Sequence, residues 1–192
     1  MEVTDANGCT AQVTQDITQP DQVVLSVAGF TNETCDYSDD ATIDVSAVGG
    51  TGAYSFEILT PTAAGPNGTG SFTGLTGDYL PGATTYTMEV TDANGCTAQV
   101  TQDITQPDQV VLSVAGFTNE TCDYSDDATI DVSAVGGTGA YSFEILSPTA
   151  AGPNVTGSFT GLTGDYLPGT TTYTMEVTDA NGCTAQVTQD IR

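Results

Sequence analysis

The chain has 192 residues, 25 acidic side chains, a single basic one (Arg192) and no histidine, giving a net charge of −24. Duplex nucleic acid is close to excluded as a partner because a single basic residue is present to neutralise its phosphates, and anionic membrane surfaces are disfavoured on the same ground. The missing His and Lys also remove most of the acid–base inventory, so the chain reads as non-enzymatic.

Residues 1–17 open with Met-Glu-Val-Thr-Asp-Ala-Asn-Gly-Cys9, which recurs at Met88–Cys96 and Met175–Cys183, each time 87 residues further on. A tandem array with that period is the simplest account. It places one repeat at 18–104 and a second at 105–191, with 1–17 as the closing hairpin of a preceding, truncated repeat. The recurring Met means that Met1 need not be a true start, and the sequence is expected to be a window on a longer chain. No secretory signal and no apolar run of membrane-spanning length stand in it, so no membrane insertion is expected of this segment.

Within a repeat, Thr18-Gln-Pro-Asp21 is the join, where Pro20 removes a ladder donor. Val23, Leu25 and Val27 alternate towards Phe30 as a first strand. A loop over Thr31–Asp40 carries Glu33, Cys35, Asp36, Asp39 and Asp40. Ile43, Val45 and Ala47 give a second strand its inner face, with Thr42, Asp44 and Ser46 outside. Gly49-Gly-Thr-Gly52 is a turn, and Tyr54, Phe56 and Ile58 form a third strand. Thr60–Gly70 has no periodicity and reads as a loop. Ser71–Leu75 is a short strand, and Gly77–Gly82 a further loop. Tyr86, Met88 and Val90 then alternate with Thr87, Glu89 and Thr91. Asp92-Ala-Asn-Gly95 turns the chain, and Ala98, Val100 and Ile104 line the last strand. Short strands separated by turn signals, with no capped helical run, predict an all-β fold of tandem immunoglobulin-like β-sandwiches. The two copies differ only at Thr60/Ser147, Gly68/Val155 and Ala83/Thr170.

The cysteines fall in phase. Cys35 precedes Cys96 by 61 residues, and Cys122 precedes Cys183 by the same interval. One pair per small domain predicts intradomain disulfides Cys35–Cys96 and Cys122–Cys183, formed in an oxidising compartment. Zinc is disfavoured because there is no His and no Cys-x-x-Cys. Calcium is the candidate ligand, since it takes six to eight oxygen donors. The candidate donors are Asp36, Asp39 and Asp40, with Asp123, Asp126 and Asp127 in the second repeat. Against this, no Asp-x-Asp-x-Asp-Gly loop is present, and a solvated acidic loop is the plainer account. Tyr37 and Tyr79 lie in loops and are candidates for external contacts. Asn32-Glu-Thr34 and Asn67-Gly-Thr69 match the N-glycosylation pattern.

Gly49-Gly-Thr-Gly-Ala-Tyr54, Tyr86-Thr-Met-Glu-Val-Thr-Asp-Ala-Asn-Gly-Cys96 and Ile104-Thr-Gln-Pro107 resemble the SprB-type repeat of very large surface adhesins in gliding and other Bacteroidota. Cys35 followed by Asp39-Asp-Ala-Thr-Ile43 is similar to the first-cysteine segment of that family, with Ala41 where the family often has Gly. The resemblance covers nearly all of each repeat. It implies an exported, extracellular β-sandwich repeat at the cell surface, acting as the stalk or filament of an adhesin. Its partners would be neighbouring repeats of the same chain and other copies in a filament. The alternative is a carbohydrate- or protein-binding module using Thr60–Gly70 and Gly77–Gly82 to contact a surface glycan or protein.

Overall fold

The computed structural model describes residues 1–77, 82–122, 125–164 and 169–192. Every regular element among them is a β-strand. The leading segment forms a small hairpin of β1 (Glu2–Thr4) and β2 (Thr10–Gln12), exposed throughout.

In the first repeat, β3 (Val24–Thr31), β4 (Ala41–Val48) and β7 (Ser71–Leu75) form a three-stranded sheet with β4 in the middle. β5 (Ser55–Thr60), β6 (Ala64–Asn67), β8 (Thr84–Thr91) and β9 (Thr97–Ile104) form the second sheet, in the order β6-β5-β8-β9. All pairings are antiparallel. The second repeat reproduces both sheets. One holds β10 (Val111–Thr118), β11 (Ala128–Val135) and β14 (Ser158–Leu162). The other holds β12 (Ser142–Ser147), β13 (Ala151–Asn154), β15 (Thr171–Thr178) and β16 (Thr184–Ile191).

The period-2 pattern explains the packing. Ile43 and Phe72 of one sheet and Ile58, Met88 and Val90 of the other belong to a single buried cluster. Ile43, Ile58, Met88 and Ile104 are each less than 2 % exposed. Burying one such side chain stabilises the fold by about 1.5–3 kcal/mol. An equivalent cluster spans Val110 to Ile191. The all-β sandwich expectation is met, with seven strands in each repeat among the described residues.

One segment differs from the sequence expectation. Thr60–Gly70 is not wholly a loop, because β6 lies inside it and pairs with β5. Its sequence, Ala-Gly-Pro-Asn, carries no alternation. Tertiary context makes the strand: Gly65 has φ +107°, and a Cβ there would lie 2.9 Å from the Phe56 carbonyl oxygen. Asn67 Oδ1 then accepts from the amides of Thr69 (3.0 Å) and Gly70 (2.8 Å), turning the chain into β7.

Tyr86 secures the approach to β8. Its hydroxyl accepts from the Thr76 amide at 2.9 Å and donates to the Thr76 carbonyl at 3.0 Å. This resembles the tyrosine corner of immunoglobulin-like sandwiches. Tyr173 does the same with Thr163.

Candidate functional site

Antiparallel traverse gives each sandwich two poles. The β4–β5 and β8–β9 turns share one pole, where Asp92 joins them. Asp92 is 5 % exposed. Its Oδ1 accepts from the amides of Asn94 (2.9 Å) and Cys96 (2.8 Å), and its Oδ2 from the amide of Thr51 (2.8 Å). The backbone donor of Cys96, with those of Thr51 and Asn94, holds this carboxyl below the usual Asp range. Asp179 occupies the same place in the second repeat. Burial works against its charge, but amides including those of Thr138, Cys183 and Asn181 outweigh it, and the net shift is again downward. The Asp-Ala-Asn-Gly turn is thus more than backbone geometry, since its Asp ties two turns together.

The opposite pole carries the loop between β3 and β4 and the end of β9. There the first repeat grips the join to the second. Asn32 Oδ1 accepts from the Thr105 amide at 3.1 Å, and the Glu33 amide donates to the Thr105 carbonyl at 3.1 Å. Gln106 Nε2 donates to Asp36 Oδ1 at 2.9 Å. From the other side, the Gly137 amide of the second repeat donates to the Asp108 carbonyl at 2.7 Å. The joining segment is therefore held by both domains.

The same junction is covalent. Cys35 of the first repeat is disulfide-bonded to Cys183 of the second, with a Cα–Cα distance of 5.7 Å. Asn181 Nδ2 donates to the Thr34 carbonyl at 3.0 Å beside it. The expected pairings Cys35–Cys96 and Cys122–Cys183 are corrected by this finding. Cys96 sits at the start of β9 and Cys35 near its end, so eight strand residues, roughly 26 Å of chain, separate the two poles. A disulfide tolerates a Cα–Cα distance of at most about 7 Å. Cys9, Cys96 and Cys122 are exposed thiols. A cleft of about 330 Å³ adjoins the bond, lined by Cys35, Asp36, Asp108, Val110 and Cys183 among others.

The acidic loop is organised by its own backbone. Asp40 Oδ1 accepts from the Thr34 amide (2.9 Å) and the Ser38 hydroxyl (2.6 Å). The Ser38 hydroxyl, then that of Thr34, lowers its pKa. Asp127 makes the equivalent contacts, and the Ser125 and Thr121 hydroxyls lower its pKa to about 2. Asp39 and Asp126 adopt positive φ, and their amides donate to Glu33 and Glu120 respectively. Asp36 faces Gln106. Asp123 lies outside the described residues. Among the described residues no three Asp, Glu, Cys or His side chains converge on a point that would hold an ion. Glu33, which the sequence sets three residues before the candidate calcium donors, is buried. It is 4 % exposed, its Oε2 has no hydrogen-bond partner, and burial pushes its carboxyl up.

Of the loop tyrosines, Tyr37 is 68 % exposed and its amide approaches Gln106 Oε1, while Tyr79 lies outside the described residues. Asn32 and Asn67, which head glycosylation patterns, both spend their amide oxygens on the backbone.

The SprB repeat family model matches residues 28–63 and 115–150. Each match runs from within the first strand of a sandwich to just before its fourth, and includes the loop cysteine. No curated protein matches the chain. Among solved structures, a chain described as Protocadherin Gamma B2 extracellular cadherin domains 3-6 is similar at 15 % identity, with a TM-score of 0.33. The match covers 99 % of this chain and 55 % of that one, so the chain spans about half its length.

Proposed function

We propose that this chain, with its two SprB repeat segments, is part of an extracellular stalk or filament of a cell-surface adhesin. The observation that carries the reading is the covalent junction: a disulfide and a hydrogen-bonded join fix one repeat to the next. A spacer needs that stiffness, whereas a binding module needs an open, convergent surface. The disulfide also favours an oxidising surrounding outside the cytoplasm. In this reading calcium acts as a counterion to the acidic surface as a whole, concentrated by its field.

An antibody raised against the chain, applied to intact cells of the source organism, is expected to label them as strongly as permeabilised ones. Labelling only after permeabilisation overturns the surface assignment. A glycan array probed with the purified chain separates stalk from lectin. No retention is expected, and saturable retention of one glycan class would favour the binding-module alternative.

A further inference from the structure

We propose that Cys96 and Cys122 are the two open halves of the inter-repeat disulfide, and that each takes the opposite pole of another repeat of this sequence as its partner. The same bond one period away carries the proposal. Cys96 stands where Cys183 stands, and Cys122 where Cys35 stands, displaced by 87 residues.

The geometry of both half-sites is already built. Asp92 holds the amides of Asn94 and Cys96 at 2.9 and 2.8 Å, as Asp179 holds those of Asn181 and Cys183 at 2.9 Å each. The Cys122 amide donates to Ser125 Oγ at 3.4 Å, as that of Cys35 donates to Ser38 Oγ at 3.3 Å. Asp127 fixes Thr121 as Asp40 fixes Thr34. The two sets differ in cover. Cys183 is 9 % exposed against its partner repeat, whereas Cys96 and Cys122 are exposed. Docking would set Asn94 Nδ2 against the Thr121 carbonyl of the incoming repeat, repeating the Asn181–Thr34 contact.

Closing the bond needs an oxidant, here a small-molecule disulfide such as glutathione disulfide. The Cys122 thiolate displaces one glutathione thiolate to form a mixed disulfide, and the Cys96 thiolate then displaces the second. The two protein thiols give up two protons and two electrons, and these end on two glutathione thiols. The proposal rests on the stalk reading only for an oxidising surrounding.

The test uses the 192-residue chain carrying Cys9→Ser, because Cys9 lies in a third copy of the same turn and would compete. A tether between repeats supplies an effective concentration of the order of millimolar, so the chain is held at about 1 mM. It is incubated in a glutathione redox buffer and mapped by mass spectrometry without reduction. Cys35–Cys183 within the chain is the folding control. The expected result is a ladder of oligomers in which Cys96–Cys122 is the dominant intermolecular link, formed several-fold more slowly after Asn94→Ala. Persistent thiols at both positions, or Cys96–Cys96 and Cys122–Cys122 in comparable yield, overturn the proposal. Either outcome is read apart from surface labelling, so the stalk reading and this one fail separately.

Discussion

Glu33 and the structural aspartates carry opposite pH signatures. Glu33 is buried with an orphan oxygen, and burial raises its pKa above 4.5. A raised carboxyl favours the folded state while protonated, so its contribution is complete below pH 4.5 and is lost as pH rises through the folded value. Glu33→Gln keeps an acceptor for the Asp39 amide and removes the charge. It is expected to stabilise the first sandwich by about 1 kcal/mol at pH 7, measured by urea unfolding. Asp40, Asp92, Asp127 and Asp179 behave the other way, since their pKa values are depressed. Their stabilisation is present above pH 3.8 and lost as pH falls below it, for Asp127 towards about 2. Asp127→Asn should therefore flatten the acid limb of a stability–pH curve while leaving its neutral end lower. An unchanged acid limb would show that the Ser125 and Thr121 contacts do not hold in solution.

At the scale of elements, the disulfide shows what the sequence made legible and what it hid. Six of the seven strands in a repeat follow from alternation, because each has one face in the core and one in water. β6 does not, since Ala-Gly-Pro-Asn has no apolar face to alternate. Missing it reverses a conclusion. Four crossings between the Cys35 loop and the Cys96 turn would bring the chain back to the pole it left, and an intradomain bond would look natural. β6 makes the crossings five, and the cysteines end at opposite poles. Phase alone could not have warned of this, because a partner in the same repeat and one in the next both recur every 87 residues. Asp92 was hidden for a similar reason: an Asx turn is visible locally, but its second oxygen reaches Thr51, 41 residues away. A glycine at the join offers a direct check. Gly136 has φ +79°, and a Cβ there would lie 1.9 Å from the Gln109 carbonyl oxygen. Gly136→Ala is expected to cost at least about 2 kcal/mol in the second sandwich, read by urea unfolding of the whole chain. Gly95→Ala has open space around it and tests the backbone term alone, so it should cost less.

The whole molecule is dominated by like charge, with 25 acidic side chains against one basic. Self-repulsion opposes the compact state and is screened over about 10 Å at 0.1 M salt. Raising NaCl from about 10 mM to about 150 mM should therefore raise the melting temperature. Calcium and magnesium at equal concentration should raise it further and equally, as expected of counterions. A rise specific to calcium would instead place an ion in the acidic loop.

The Cys35–Cys183 bond also sets the route that tension takes. A pull on the two ends of the chain enters through residues 1–34, crosses the disulfide and leaves through residues 184–192. Residues 36–182, with most strands of both sandwiches, lie off that route. A hard enough pull draws out only the flanks, which include β3 and β16, while residues 36–182 stay inside the covalent loop and cannot be extended. Reduction puts those strands in series and adds about 500 Å of extensible chain at roughly 3.4 Å per residue. Single-molecule stretching with and without reductant should show that difference in contour length. In the stalk reading, the bond placed between neighbours is a strain limiter: it caps the length that force can draw out of the chain by keeping residues 36–182 inside a covalent loop.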